Sequence, residues 1–286
     1  MSGVSAPLVA PGRGTGLLEL FKWRYLLKLL VNKELRVRYR GSTLGMAWSY
    51  VKPAVQFLVF YFAVGVFLRM NDTVENFAVY LFSGIVAVNF FSEAFGNATR
   101  SIVGNGALVK KIYLPRELFP VASLWVAAVH FFPQVVVLLV GSVVAGWRPG
   151  WKEIVAFILG FGIVAVFSLG LGLFFGAINV MYRDAENLVD LILMVATWAS
   201  PVLYQAQQVI DAIGSGWAWT IYQLNPVTSA VNLFHFAFWR ATTDVPPPLP
   251  PGFVVSVVGG GLISLAVLVL GQFIFRRFDG RFAQEL

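Results

Sequence analysis

Residues 153–181 read EIVAFILGFGIVAVFSLGLGLFFGAINVM. After Glu153 this run carries no charged side chain, and it exceeds the ~20 apolar residues that take a helix across a bilayer. Ser168, Gly172 and Gly176 recur at every fourth position within it. Such small-xxx-small steps let another helix approach closely, either within the chain or across a dimer. Five more runs have the same character: 50–68, 77–99, 118–146, 188–204 and 253–275. The third span, 118–146, is long enough to tilt, or to break near Pro133. The rest of the 286-residue chain agrees: 58% of it is hydrophobic and 12% charged, against ~25% charged in an ordinary soluble domain. One globule of this size cannot enclose that much apolar surface. The expected fold is therefore an all-α integral membrane protein with six transmembrane helices. A soluble enzyme and a disordered chain are both excluded.

Basic residues set the expected orientation. With both termini cytoplasmic, seventeen of the 21 Lys and Arg residues lie inside, and only Arg69, Arg148, Lys152 and Arg240 lie outside. This is the positive-inside pattern. It assigns the net charge of +7 to topology rather than to nucleic-acid binding. Residues 1–16 lack the apolar core of a signal peptide and read as a disordered cytoplasmic start.

Three segments are neither spans nor simple loops. Residues 17–40 mix leucines with Trp23, Tyr25, Arg36, Arg38 and Arg40, the composition of an amphipathic helix lying on the cytoplasmic leaflet. This interface region extends to residue 47, and the six-span domain occupies 48–286. Residues 101–111 suggest a short cytoplasmic helix, weakened by Gly104 and Gly106. A weak helix exposing Leu108 and Val109 beside Lys110 and Lys111 suits docking onto a partner protein, and equally a solvated basic loop. Residues 205–252 are too apolar for a plain loop. Gly214-Ser215-Gly216 and Asn225-Pro226 divide them into short amphipathic or re-entrant helices at about 205–240, which would cap an outer mouth. The proline run at 246–251 reads as a stiff spacer before the last span. Arg183-Asp184, in the loop after the fourth span, reads first as a surface ion pair of little energetic weight.

Catalytic and metal-binding motifs are missing. The dipeptide Gly-Lys does not occur, so there is no P-loop. Zero cysteines and two histidines exclude a thiolate or His-rich metal site. Few ionisable residues sit deep in the spans: Glu93 and Asp190 lie near inner ends and His130 near mid-depth; His130 is expected to pack against a backbone carbonyl rather than relay protons. Aromatic residues are abundant instead, with 26 Phe, 9 Trp and 9 Tyr. Phe57 and Tyr61 share one helix face with Phe60 and Val64, Phe91 clusters with Phe90 and Phe95, and Trp198 and Tyr204 flank Pro201. Singly, each ring is core or lipid-facing. As a set they suit a sugar pathway, because sugar C–H faces stack on rings without fixed hydrogen-bond geometry.

Six short motifs, in order, carry a family resemblance. They are Arg38-Tyr39-Arg40-Gly41-Ser42-x-Leu44-Gly45 with Trp48 and Pro53; Leu81-Phe82-Ser83-Gly84 with Phe90-Phe91-Ser92; and Asn105-x-x-Leu108-Val109-Lys110-Lys111 followed by Tyr113, Pro115, Arg116 and Glu117. Then come Asn179-x-x-Tyr182-Arg183-Asp184, Ser200-Pro201-Val202-x-Tyr204, and Asn225-Pro226. From about Leu17 to the end the chain resembles ABC-2 type permeases that export polysaccharides such as O-antigen, teichoic acid or other lipid-linked glycans.

The resemblance implies a homodimer in the bacterial plasma (inner) membrane, both termini cytoplasmic, paired with two copies of a separate ATPase. This chain would be no enzyme and would hold no cofactor, ATP and Mg being bound by the ATPase. The resemblance also implies roles. Asn105, Leu108, Val109, Lys110 and Lys111 would dock on the ATPase, and Arg183 and Asp184 would lie near a cytoplasmic gate. The helix with Trp23, Tyr25, Arg36, Arg38 and Arg40 would border the place where a lipid-linked polysaccharide is admitted. Phe57, Tyr61, Phe91, Trp198 and Tyr204 are the candidate channel aromatics. A lipid or drug permease is the near alternative, and a membrane-embedded sugar transferase a more distant one. The proline run is not part of the family pattern.

Overall fold

The computed structural model describes residues 16–112 and 114–286. The expected disordered start therefore lies outside the described residues, except for Gly16. Among the described residues every regular element is helical. A 3-10 turn, Gly16–Phe21, leads to α1 (Arg24–Arg38). Next come α2 (Trp48–Phe60), prolonged by a π-helical stretch Tyr61–Phe67, then α3 (Phe77–Gly104) and the short α4 (Gly106–Lys111). Two long helices follow, α5 (Leu118–Val144) and α6 (Trp151–Met181), then α7 (Ala185–Ala196), α8 (Ala206–Ile213) and α9 (Trp217–Leu224). The chain closes with α10 (Pro226–Phe234) and its π-helical extension His235–Trp239, α11 (Phe253–Asp279) and α12 (Phe282–Glu285).

Among the described residues, five helices are long and apolar enough to cross a membrane: Gly45–Phe67, Phe77–Gly104, Leu118–Val144, Trp151–Met181 and Phe253–Asp279. They match five of the six expected spans, and α5 runs unbroken through Pro133. The sequence between residues 188 and 204 differs from expectation. Only α7 is helical there, and its 12 residues rise about 18 Å, short of a ~30 Å hydrocarbon core. The chain then turns through Ser200 and Pro201. The carbonyls freed by that turn are taken up by side chains. Tyr80 donates its hydroxyl to the carbonyls of Pro201 (2.9 Å) and Tyr204 (2.6 Å), and Asn225 and Thr228 both donate to that of Ala199 (3.1 Å each). Irregular backbone at this depth needs such cover.

We call the end of the bundle where α3 stops the basic end, and the end where α3 starts the far end. α3 is the central post, lying between α5 and α6. In its most apolar window 72% of residues are buried, against 11% for the first span, which leaves one whole side of α2 uncovered. The small-residue face of α6 is resolved as internal packing: a Cβ on Gly172 would collide with that of Ala98, and one on Gly176 would lie 3.4 Å from the Ala98 carbonyl oxygen. α6 also lies close to α11, where a Cβ on Gly170 would meet the Leu268 backbone at 2.6 Å.

Short helices occupy the expected segment, with breaks at Gly214–Gly216 and at Asn225 as the sequence suggests. α10 starts at mid-depth, where Asn225 caps it by accepting from the Val227 amide (3.0 Å) and Pro226 supplies a preset φ at its first position. It returns to the far end, where His235 stacks on Tyr80 and Trp239 donates to the Glu75 carbonyl (2.7 Å). Every residue of α10 is buried.

Candidate functional site

At the basic end α1 lies across α5. Phe21 and Tyr25 are exposed on its outer side, Leu30 is buried on its inner side and Trp23 is half-buried. Arg36 and Arg40 point to solvent, whereas Arg38 turns inward.

Arg38 donates to Glu93, and the same carboxylate oxygen lies 2.5 Å from His130 Nδ1. With Nδ1 carrying the proton, Nε2 accepts from the Tyr39 hydroxyl (2.8 Å), which in turn accepts from Ser49 (2.8 Å). The expected carbonyl partner of His130 is thus replaced by a chain of side chains drawn from α1, α2, α3 and α5. By helix rise Glu93 lies about 16 Å from the Gly104 end of α3, a depth where ionisable groups persist only when paired.

The network forms one wall of a cavity of about 470 Å³, lined also by Lys52, Gln56, Asn89, Ser92 and Gln134. The Gln134 amide donates to the His130 carbonyl, but its Oε1 is buried without a partner among the described residues. Pro53 and Gln134 also line a second, apolar cavity of about 540 Å³ between α2, α3 and α5, with Phe57, Phe82, Val79 and Leu138 in its walls. A polar chamber at the basic end therefore adjoins an apolar one reaching toward the far end.

The other anticipated residues are spread over four places. Asn105 is buried at the break between α3 and α4. Its Oδ1 accepts from Lys33, and its Nδ2 donates to the Ser101 carbonyl (2.9 Å) and to Glu34 (3.2 Å). The expected helix over 101–111 is thus split, its first four residues belonging to α3. Val109 is buried in a second apolar cluster with Ile102 and Phe282, contrary to the expected exposure; Leu108 is half-buried, and Lys110, Lys111 and Ile112 are exposed.

Arg183 and Asp184 are exposed and make no ion pair among the described residues. The ion pairs at this level belong to Arg100, which lies 2.5 Å from Asp190 and 3.4 Å from Glu186. Arg100 was missed because no motif marks it, although Asp190 signalled an acid within an apolar run.

The candidate channel aromatics divide. Phe91 is 1% exposed between Phe95 and Phe167 and is a core ring, because α3 is enclosed by its neighbours. Phe57 and Tyr61 pack on Phe82 and Phe77 of α3. Trp198 is exposed, and Tyr204 is half-buried with its hydroxyl on the Trp198 carbonyl (2.7 Å).

Long apolar helices, a polar chamber between them and an amphipathic helix across its mouth define a polytopic membrane protein. The chain belongs to the ABC-2 type transporter family, whose profile matches residues 25–239. It is similar to an O-antigen export system permease protein RfbA of Klebsiella pneumoniae, at 27% identity over 91% of this chain and 95% of the relative. It is also similar to the protein of that name in Myxococcus xanthus, at 30% identity over 84% of this chain and 90% of the relative. A shorter match, 26% identical over 54% of this chain and 62% of the relative, is to the capsule polysaccharide export inner-membrane protein CtrC of Neisseria meningitidis.

Proposed function

We propose that the chain is the transmembrane subunit of an ATP-driven exporter that moves a lipid-linked polysaccharide outward across the plasma membrane. The observation that carries the reading is the pairing of the two cavities. Lys52 offers a cationic group to an anionic head, and the adjoining apolar chamber offers room for a hydrocarbon tail. The names of the relatives, O-antigen and capsule polysaccharide exporters, support a polysaccharide as the cargo. The exposed basic tip of α4 supports docking of a separate ATPase, which would bind ATP and Mg and drive a shift between closed and open states. The uncovered side of α2 supports a second copy of the chain as its neighbour. The 17-to-4 bias of basic residues supports cytoplasmic termini.

The test is glycan display at the cell surface. Lys52→Glu and Gln134→Leu should each lower display at least ~10-fold while the protein still inserts. Normal display by both variants would refute the reading.

A further inference from the structure

A third cavity lies at the far end, remote from the polar chamber, with a volume of about 330 Å³. One wall is the outer face of α10 and its π-helical extension, which presents Asn232, Phe236 and Trp239. The opposite wall is the proline run at 246–251.

That run is fastened at both ends. Arg240 Nε donates to the Pro247 carbonyl (2.9 Å), and the Gln223 amide donates to that of Pro251. Proline has no amide hydrogen and a fixed φ, so the wall is stiff and presents ring faces and carbonyl oxygens. The cavity is thereby preorganised, and its size falls at the small end of ligand pockets (~300–1,000 Å³).

Asn232 gives the cavity its chemistry. It is 8% exposed, lines the cavity, and its side-chain amide has no partner among the described residues. Its polar atoms are open to the cavity rather than sealed from it, so an occupant that displaces water from them must bond to them or leave them unpaired at a cost. An amide offers both donor and acceptor, as does a sugar hydroxyl. Around it, Phe236 and Trp239 line the cavity, the Phe236 ring packed against Phe253 (5.9 Å) with the Arg240 guanidinium over it (5.4 Å). The terminal nitrogens of Arg240 make no hydrogen bond among the described residues. An acyl chain would fill the volume but leave Asn232 unpaired.

The geometry points to a saccharide-binding subsite under the proline run, taking a short segment of glycan at the far side of the membrane. It rests on the export reading only for the source of that glycan. The subsite would hold emerging chain transiently and bias it against sliding back.

The test uses the full chain in lipid nanodiscs, without ATPase or ATP, titrated calorimetrically with trigalacturonate and with maltotriose. At least one should bind wild type in the millimolar range or tighter, and Asn232→Leu should weaken it about tenfold or more. Because the chain has no cysteine, Gln207→Cys on the cavity rim creates a unique thiol, and the same saccharide should slow its labelling. Failure of both saccharides to bind, equal binding by Asn232→Leu, or labelling indifferent to saccharide each overturns the subsite. None of these outcomes touches the export reading, which stands or falls on glycan display by the Lys52 and Gln134 variants.

Discussion

The Arg38–Glu93–His130 network predicts how firmly the interface helix is held. Glu93→Gln keeps an oxygen that accepts from His130 but removes the charge opposite Arg38. A hydrogen bond to a charged group contributes ~1.5–3 kcal/mol net. The Arg38 and Glu93 side chains are 37% and 23% exposed, so water screens part of it, leaving about 1–2 kcal/mol. That corresponds to a roughly 5- to 30-fold change in the equilibrium between docked and undocked α1. Amide hydrogen exchange reads this equilibrium directly, because exchange rates scale with local opening. Peptides covering α1 should exchange faster by that factor in Glu93→Gln and in Arg38→Gln, and the double variant should be little worse than either. Peptides from α6 and α11 should not change. If α1 exchanges at the wild-type rate in both single variants, the network does not hold the helix and the reasoning fails.

Other outcomes follow from the packing and the exposed groups. Gly172→Leu should destabilise the protein by at least ~1–3 kcal/mol because Ala98 leaves no room, whereas Gly162→Ala, with open space around it, should not; thermal denaturation of the solubilised protein compares them. Phe91→Ala should cost ~3–5 kcal/mol as a core truncation and lower the amount of inserted protein, while exposed Trp198→Ala leaves that amount unchanged by immunoblot. Lys110→Glu combined with Lys111→Glu should abolish co-purification of an ATPase partner at wild-type insertion, and an intact complex would argue against α4 as the docking element.

What the sequence could and could not reveal has a physical pattern. Long helices are legible because each 20-residue apolar run is a local property. The 188–204 run passes the same hydropathy criterion, yet the chain turns at Ser200 and Pro201, where Tyr80, Asn225 and Thr228 satisfy the backbone. Those partners are far away in sequence, so no local window registers them. The polar chamber is hidden for the same reason: Arg38 and Glu93 are 55 residues apart, and Tyr39 and His130 are 91 apart. The available sign was Glu93 and His130 lying within neighbouring apolar spans, which marked each as unusual without pairing them. The small-residue stripe of α6 was read correctly as a contact face, but only the position of Ala98 decides between an internal and an external partner.

Asn105 joins three elements through one side chain. It sits at the hinge between α3 and α4 and holds Lys33 and Glu34 of α1 by its two amide ends. A load applied to α4 would therefore reach α1 through short, directional bonds. In mechanical terms the amide is the pivot of a lever whose two arms are α1 and α4, and its stiffness is set by hydrogen bonds.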